Sequence, residues 1–219
     1  MLRNVFYILS MKEMLNKYNK KYLLNDFRGN ILEESVFSYV EKNSFVCLSA
    51  PHSVKSFVSN KVKKSDLFTG ALVNFIGEQY GFSYLIREKF VDYKCRIDDF
   101  ALENGLENHY FLDIHGMKDN DDFDLAVGIG YADYNDYEEI LAKIDELAKK
   151  FCIKYVVNHP SYMGRVGFTG KFQQKIGKNN VIQLEWSKIF RNFNENIEIV
   201  NSRTIPFLVE LAKYIEEKG

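Results

Sequence analysis

Two of the four histidines in this sequence follow short apolar segments in which buried strands are expected. His52 comes directly after FVCLSA, and His115 stands at the end of YFLDIHG. Asp113 lies two positions before His115, and because side chains alternate along a strand, the two are expected on the same face. A carboxylate there can accept a hydrogen bond from the imidazole and set its tautomer, as carboxylates do behind metal-bound histidines. The spacing therefore predicts a histidine prepared to bind a metal ion.

Two further acids lie where strands or helices are expected to end or begin. Glu185 interrupts the apolar segment VIQLEW, and Asp66 begins the helical pattern DLFTGALVNFIG, where a helix N-cap is its plainest role. Buried carboxylates are costly unless they are paired or functional. Histidine and carboxylate side chains are the ligands of a hydrolytic zinc site, which also needs a carboxylate to take a proton from water. The sequence has no HExxH motif, so a metalloprotease of that kind is not indicated.

Strands and helices that would position these residues alternate along the chain. Six segments rich in Val, Ile, Phe and Tyr predict strands at residues 45–50, 82–88, 110–116, 124–130, 154–159 and 181–186. Apolar residues at spacings of three and four predict helices at residues 31–43, 66–81, 134–151 and 205–218. This alternation predicts one domain, residues 1–219, with an α/β fold: a three-layer α/β/α sandwich with a mixed, largely parallel central sheet, of the phosphorylase/hydrolase-like type. Ligands of such sheets bind at the carboxyl ends of strands, where His52, His115 and Glu185 are expected.

The charge of the chain is nearly balanced. Its 219 residues include 29 Lys and Arg and 30 Asp and Glu, giving a net charge of −1. This balance gives no indication of a nucleic-acid or anionic-membrane partner. The short cluster Lys61, Lys63 and Lys64 is interpreted as a solvated approach to a helix.

The cysteines and the amino-terminal segment give an expectation for the cellular compartment of the protein. Cys47, Cys95 and Cys152 are far apart and lie in apolar surroundings, as expected of reduced, buried thiols. The first 15 residues contain Lys12 and Glu13 and lack a small-residue cleavage site, so a secretory signal is not expected. No apolar run reaches the roughly 20 residues of a membrane span. A cytoplasmic protein is therefore expected.

The order of several short motifs resembles that of the N-formylglutamate amidohydrolase family of zinc-dependent amide hydrolases. SAPHS, SDLFTGAL, FVDYKCR, LDIHGM, DFDLAVGIG, GRVGFTGKF and VIQLEWSK follow one another between about residues 45 and 190. The family has a zinc-carboxypeptidase-like fold in which a mixed sheet lies between helices. The resemblance therefore implies the same fold class as the alternation of strands and helices, with Zn²⁺ as the cofactor.

The resemblance also implies roles for individual residues. The PH motif implies His52 as a zinc ligand, and the DxH motif implies His115 as a second ligand with Asp113 behind it. The acid before FTGAL implies Asp66 as the carboxylate ligand, and the QLE motif implies Glu185 as the general acid/base. The expected mechanism is attack of a metal-activated water, deprotonated by Glu185, on an amide carbonyl.

Two arginines are candidates for binding the substrate. Arg96 stands in VDYKCR, where relatives have a DPNR-like segment, which implies that it binds a substrate carboxylate. Arg165 lies in the glycine-flanked segment YMGRVGFTG, where a guanidinium can bind a carboxylate bidentately or stabilise an oxyanion. The alternative for Arg165 is a surface arginine in a flexible loop. The substrate that the resemblance implies is a small N-acyl amino acid such as N-formylglutamate, or a γ-glutamyl peptide, with a carboxylate beside the amide.

Two other classes of function remain open. Relatives often have Gly after PHS where this chain has Val54, and the segments around Cys95 and Arg165 also depart from the family pattern. If these departures mark a loss of catalysis, the protein is a binding or regulatory domain with the same fold. An α/β phosphatase or nuclease would use the same acids with other metals, although no glycine-rich phosphate loop supports it.

Overall fold

In the computed structural model, residues 2–58 and 60–219 are described, with side chains from residue 8 onward. This part of the chain contains nine strands. They are β1 (Phe37–Val40), β2 (Val46–Ala50), β3 (Ser56–Val58), β4 (Lys61–Lys63), β5 (Ser83–Arg87), β6 (Tyr110–Gly116), β7 (Leu125–Gly128), β8 (Tyr155–Val157) and β9 (Val181–Trp186).

The same part of the chain contains eight α-helices. They are α1 (Leu2–Phe27), α2 (Thr69–Tyr80), α3 (Ile97–Glu103), α4 (Glu138–Lys150), α5 (Phe168–Ile176), α6 (Lys188–Arg191), α7 (Ile197–Ile199) and α8 (Ile205–Glu216). A 3₁₀ turn at Tyr134–Tyr137 leads into α4, and a π-helical turn at Val200–Thr204 joins α7 to α8.

Seven strands form one mixed sheet in the order β1-β5-β2-β6-β9-β7-β8, and β3 and β4 form a separate hairpin. The pairs β5–β2, β2–β6, β6–β9 and β7–β8 are parallel, whereas β1–β5 and β9–β7 are antiparallel. Helices cover both faces of the sheet. The predicted three-layer α/β/α sandwich with a largely parallel central sheet is confirmed.

The alternation of side chains along each strand divides the core into two layers. Leu48, Leu112 and Leu184 belong to the larger layer, into which α1, α2, α4 and α8 pack. Cys47 and Phe111 face the opposite side, where α3 and α5 pack. Burial of apolar side chains on both faces explains why the amino-terminal part of each of these strands is apolar.

Polar residues follow the apolar ones on the face that α3 and α5 cover. In β6, Phe111 is followed on the same face by Asp113 and His115, and in β9, Val181 is followed by Gln183 and Glu185. The amino-terminal half of this face is therefore hydrophobic core. Its carboxyl-terminal half is a buried polar surface at the ends of parallel strands.

Two predictions about secondary structure are wrong. The pattern at residues 31–43 predicts a helix, but Phe37–Val40 forms the edge strand β1 and pairs with β5. Sheet pairing and burial of Phe37 outweigh an apolar spacing that also fits a helix. The lysines predicted to approach a helix lie instead on the β3–β4 hairpin, with Lys61 and Lys63 in β4. Helices α1, α3 and α5 and strands β3 and β4 are not predicted by the sequence patterns.

The prediction that the three cysteines are unpaired thiols is confirmed, but the prediction that all three are buried is partly wrong. All three are free thiols, and Cys47 is buried, but Cys95 is half-buried and Cys152 is exposed. Cys152 lies in the turn after α4, with a positive φ of 52°.

Within residues 2–58 and 60–219, no helix has both the length and the apolar character needed to cross a membrane.

Candidate metal and catalytic site

Neighbouring parallel strands bring the sequence-predicted residues to one edge of the sheet. His115 on β6 is in register with Glu185 on β9, and Ser49 on β2 is in register with Asp113. The chain leaves β2 at Pro51, and the His52 ring centroid lies 5.1 Å from that of His115. Asp66 is connected to His52 by a backbone hydrogen bond from its N–H to the His52 carbonyl, 2.7 Å. These contacts bring His52, Asp66, His115 and Glu185 to the same edge of the sheet.

His115 lies between two carboxylates. Its Nε2 is 2.9 Å from Oδ2 of Asp113, and its Nδ1 is 3.2 Å from Oδ2 of Asp66. Burial alone would lower the pKa of His115, but Asp113, Asp66 and Glu185 raise it to about 10. In this arrangement the ring is an imidazolium whose charge balances part of the acidic cluster.

Asp113 is fully buried and accepts hydrogen bonds from three directions. Its Oδ2 accepts from His115 and from Oγ1 of Thr169 at 3.2 Å, and its Oδ1 accepts from Oγ of Ser49 at 2.8 Å. These bonds fix the carboxylate, which in turn fixes the orientation of the imidazole. The local spacing DxH thus places Asp113 behind His115, as its sequence position suggests.

Asp66 is not the N-cap of helix α2. The N-cap position is occupied by Phe68, and the Asp66 backbone carbonyl instead accepts from Oγ1 of Thr69 at 2.7 Å. The carboxylate is thereby free to face His115, and it also lies 3.6 Å from Nζ of Lys63. Burial would raise the pKa of Asp66, but the hydrogen bond from His115 and the charge of Lys63 lower it well below its usual range. The Asp66 carboxylate therefore belongs to the buried cluster around His115.

His52 has the properties of a neutral imidazole. Its Nδ1 lies 2.9 Å from Oγ of the buried Ser56 on β3. Burial, followed by the nearby charge of Lys63, lowers the pKa of His52 well below its usual value. When Nδ1 donates its proton to Ser56, Nε2 carries the lone pair that a metal ion requires.

Glu185 is a buried carboxylate next to this cluster. Burial raises the pKa of Glu185, as do Asp66 and Asp113, while His115 and Lys63 lower it. Its Oε1 accepts a hydrogen bond from Nε2 of Gln183 at 3.2 Å. A carboxylate with a raised pKa accepts and returns a proton more readily near neutral pH, as a general base must.

One pair of donor atoms in this cluster has a spacing that suits a zinc ion. The 3.2 Å between Oδ2 of Asp66 and Nδ1 of His115 is close to the roughly 3.3 Å that separates two donors each about 2.0–2.1 Å from a tetrahedral ion. The neutral His52 would add a second nitrogen. In the part of the chain that is described, no three His, Cys, Asp or Glu side chains are already arranged around a common ion position. Nδ1 of His115 would have to exchange its proton for the metal.

The two candidate arginines have different surroundings in the structure. Arg96 lines a cavity next to His52, where its Nε bonds to Oδ1 of Asp98 at 3.0 Å. Arg165 is exposed, donates from Nε to the Gly130 carbonyl at 3.2 Å and lies over the Tyr131 ring. The roles predicted for both arginines stay predictions.

A buried arginine that the sequence patterns do not predict connects the loops behind the cluster. Arg191 on α6 donates to the carbonyls of Leu67 at 2.6 Å, Met117 at 2.8 Å and Trp186 at 3.2 Å. These residues follow Asp66, His115 and Glu185 by one or two positions. One guanidinium therefore fixes the distances between three chain segments that carry site residues. A Cβ on Gly116 would lie 2.5 Å from Arg191 Nε, so only glycine leaves room for it.

Replacing Arg191 with lysine is expected to weaken zinc binding by roughly 10- to 100-fold, as loss of an outer partner of a metal site does. Lysine keeps the charge but cannot reach three carbonyls with one planar fork. Chelator competition measures the affinity, and Arg203→Lys is the control because Arg203 also binds a backbone carbonyl, that of Cys152. Equal zinc affinity of Arg191→Lys and wild type would show that the guanidinium does not position the site.

Comparisons with known proteins support the fold. The sequence matches no protein family profile and no curated protein. N-formylglutamate amidohydrolase from Ralstonia eutropha JMP134 aligns over 84% of this chain and 99% of its own, with 11% identity and a TM-score of 0.55. A bacteriophage poly-gamma-glutamate hydrolase aligns over 85% and 90%, with 14% identity and a TM-score of 0.50. A gene product of Agrobacterium tumefaciens aligns over 84% and 95%, with 10% identity and a TM-score of 0.56.

These similarities show the fold alone. The chain has an amidohydrolase-like fold, which it shares with the formylglutamate and poly-gamma-glutamate hydrolases. The resemblance seen in the order of the motifs is confirmed at the level of structure.

Several residues around the cluster are missed by sequence reasoning, for different reasons. Ser49 and Gln183 could have been found, since Ser49 is the next-to-last residue of β2 and Gln183 stands two positions before Glu185, on the face that carries the site. Ser56 and Lys63 depend on a hairpin that the sequence patterns do not predict. Arg191 makes its contacts over sequence separations of up to 124 residues, for which no local pattern exists.

Proposed function

We propose that the protein is a zinc-dependent amidohydrolase that cleaves the amide bond of a small N-acyl amino acid of the N-formylglutamate type. The observation that carries this proposal is the convergence of His52, Asp66, His115 and Glu185 at the carboxyl edge of the sheet. Two nitrogens and one carboxylate are the ligand set of many catalytic zinc sites. Glu185 remains beside them as the carboxylate that hydrolysis needs.

The residues of the chain would divide the work as follows. His52, Asp66 and His115 would hold zinc, which when bound polarises a carbonyl and lowers the pKa of water. Asp113 keeps the His115 ring in place through the bond to Nε2. Glu185 takes the proton of the attacking water and transfers it to the amide nitrogen as the C–N bond breaks.

The cavity beside His52 is the proposed place for the remainder of the substrate. It has a volume of about 470 Å³, within the range of small-molecule sites, and Arg96 forms part of its wall. Arg96 is therefore better placed to orient a substrate than Arg165, which lies at the surface. A γ-glutamyl peptide bond is the second candidate substrate, supported by the likeness to a poly-gamma-glutamate hydrolase.

We further propose that the protein acts on small molecules in the cytoplasm. Three free cysteines suit a reducing compartment, and the net charge of −1 offers no general attraction to nucleic acid.

Turnover by the wild-type protein tests the proposed activity. We expect zinc-loaded protein to hydrolyse N-formylglutamate or a γ-glutamyl dipeptide, to lose this activity on chelation and to regain it with Zn²⁺. A generic phosphoester serves as the control substrate. Failure to hydrolyse any N-acyl amino acid or γ-glutamyl peptide after zinc loading would contradict the proposal. Ligand binding without turnover would favour a regulatory domain, and phosphoester turnover a phosphatase.

A further inference from the structure

Arg87 is a buried cation without a complete set of partners. It ends strand β5 and is 4% exposed, with its guanidinium 4.4 Å from the centroid of the Phe37 ring. Nε donates to the Pro51 carbonyl at 3.0 Å and Nη2 to the Cys95 carbonyl at 2.8 Å. Among the described residues, Nη1 is buried and finds no hydrogen-bond acceptor.

The charge of Arg87 also lacks a counter-ion. Burial lowers the pKa of Arg87 to about 10, so the guanidinium stays charged at neutral pH. Within residues 2–58 and 60–219 no carboxylate forms an ion pair with it. Buried charges are normally paired, and a buried donor without an acceptor is costly. A ligand that supplies a negative oxygen would correct both deficits.

Arg87 lines the cavity beside His52. Lys94, Arg96, Lys171 and Asp98 line the same space. Asp98 is already paired with Arg96 and with Lys175, so it neutralises little of the remaining charge. Burial, followed by the neighbouring Arg96, lowers the pKa of Lys171, as expected where positive charges are crowded. In a protein with a net charge of −1, this cavity is a local positive region.

Arg87 and Arg96 differ in what they can offer a ligand. Arg96 forms ion pairs with both Asp98 and Asp99, which occupy its fork. The donors of Arg87 that are in use bind only backbone carbonyls, which carry no net charge. Of the two arginines in the cavity, Arg87 is therefore the one whose charge remains available to an entering anionic group.

We infer that Arg87 is the carboxylate anchor of the cavity, binding the carboxylate of the substrate while His52 marks the end where the amide is cleaved. This inference rests on the proposed function for the identity of the substrate. The anchor itself depends only on the cavity and its charges. Arg96 then acts as a rim residue held by Asp98 and Asp99, and not as the primary recognition group.

Titration with glutarate tests the anchor without any dependence on turnover, because glutarate has no amide bond to cleave. Wild-type protein is expected to bind glutarate at least about tenfold more tightly than neutral glutaramide, and Arg87→Gln to lose about 10- to 100-fold in glutarate affinity, as loss of a charge-assisted hydrogen bond implies. Arg203→Gln is the matched control, with an expected change below about threefold, because Arg203 also binds a backbone carbonyl but does not line the cavity. Thermal melting and far-UV circular dichroism establish that each variant is folded.

The outcomes separate this inference from the proposed function. Equal glutarate affinity of folded Arg87→Gln and wild type would overturn the anchor even if amide hydrolysis is intact. Loss of glutarate binding in Arg87→Gln from a protein that hydrolyses no amide would support the anchor while the proposed function fails. If Arg87→Gln does not fold, the wild-type comparison decides: equal affinity for glutarate and glutaramide, or binding of inorganic phosphate tenfold tighter than glutarate, overturns the assignment to a carboxylate.

Discussion

Replacing His115 with alanine is expected to remove zinc and amide hydrolysis together. His115 contributes the nitrogen that lies 3.2 Å from the Asp66 carboxylate, and Asp113 holds its other nitrogen at 2.9 Å. Losing an outer partner of a metal-bound histidine costs about 10- to 100-fold in affinity, so losing the ligand itself is expected to cost more. Elemental analysis of protein purified without added zinc measures the loss.

The control for this experiment is His109→Ala, at the residue immediately before the same strand, where Nε2 of the imidazole lies 3.1 Å from the Tyr39 hydroxyl. Removing His115 also leaves Asp113 and Asp66 without their shared partner, which destabilises the fold. His115→Gln retains a hydrogen-bond donor and serves as a second variant if the alanine protein does not fold. Equal zinc content in a folded His115 variant and in wild type would contradict the ligand role.

Replacing Glu185 with glutamine is expected to lower kcat by about 10²- to 10⁴-fold while zinc content stays at the wild-type level. Glutamine keeps the shape of the side chain and the acceptor that Gln183 reaches at 3.2 Å, but it cannot take a proton. Steady-state kinetics on the best substrate, with zinc measured on the same samples, separates the chemical step from metal loading.

Glu78→Gln makes the same chemical change at the end of α2, away from the cluster, and is expected to leave kcat unchanged. A kcat for Glu185→Gln within about threefold of wild type would remove Glu185 from the mechanism. Loss of zinc from Glu185→Gln would instead make Glu185 a ligand, with the general base elsewhere.

The features predicted correctly from the sequence are mainly those determined by contacts between residues close together in the chain. YFLDIHG and VIQLEW begin with apolar residues on both faces and are rich in β-branched and aromatic residues, and their strands form within the predicted bounds. His115 and Glu185 then meet because parallel strands place their carboxyl ends at one edge. Asp113 follows from the same alternation.

Residues 31–43 show why other predictions are wrong. Their apolar spacing fits a helix, but Phe37 is buried only when the segment pairs with the edge of the sheet, and that partner lies about 50 positions along the chain. Asp66 was expected to cap α2 from its position, yet the helix begins at Thr69 and the carboxylate faces His115. In both cases a tertiary contact outweighs a local preference.

The two buried arginines lie beyond what local patterns can predict. Arg87 ends an apolar strand and Arg191 lies in a four-residue helix, and neither is surrounded by a motif. Their roles depend on the backbone carbonyls that they bind and on the cavity that Arg87 lines, and the tertiary structure determines both. Arg96, which the resemblance favours for substrate binding, is instead engaged by Asp98 and Asp99.

We propose that His52, Asp66 and His115 bind one zinc ion. Anomalous diffraction from crystals grown with Zn²⁺, recorded on both sides of the zinc absorption edge, tests it most directly. We expect a single strong peak about 2.0–2.2 Å from one nitrogen of each histidine and one oxygen of Asp66, with Glu185 beside it but not bound. A zinc peak elsewhere, or a fully folded crystal with zinc in the medium and no peak between these three residues, would contradict it.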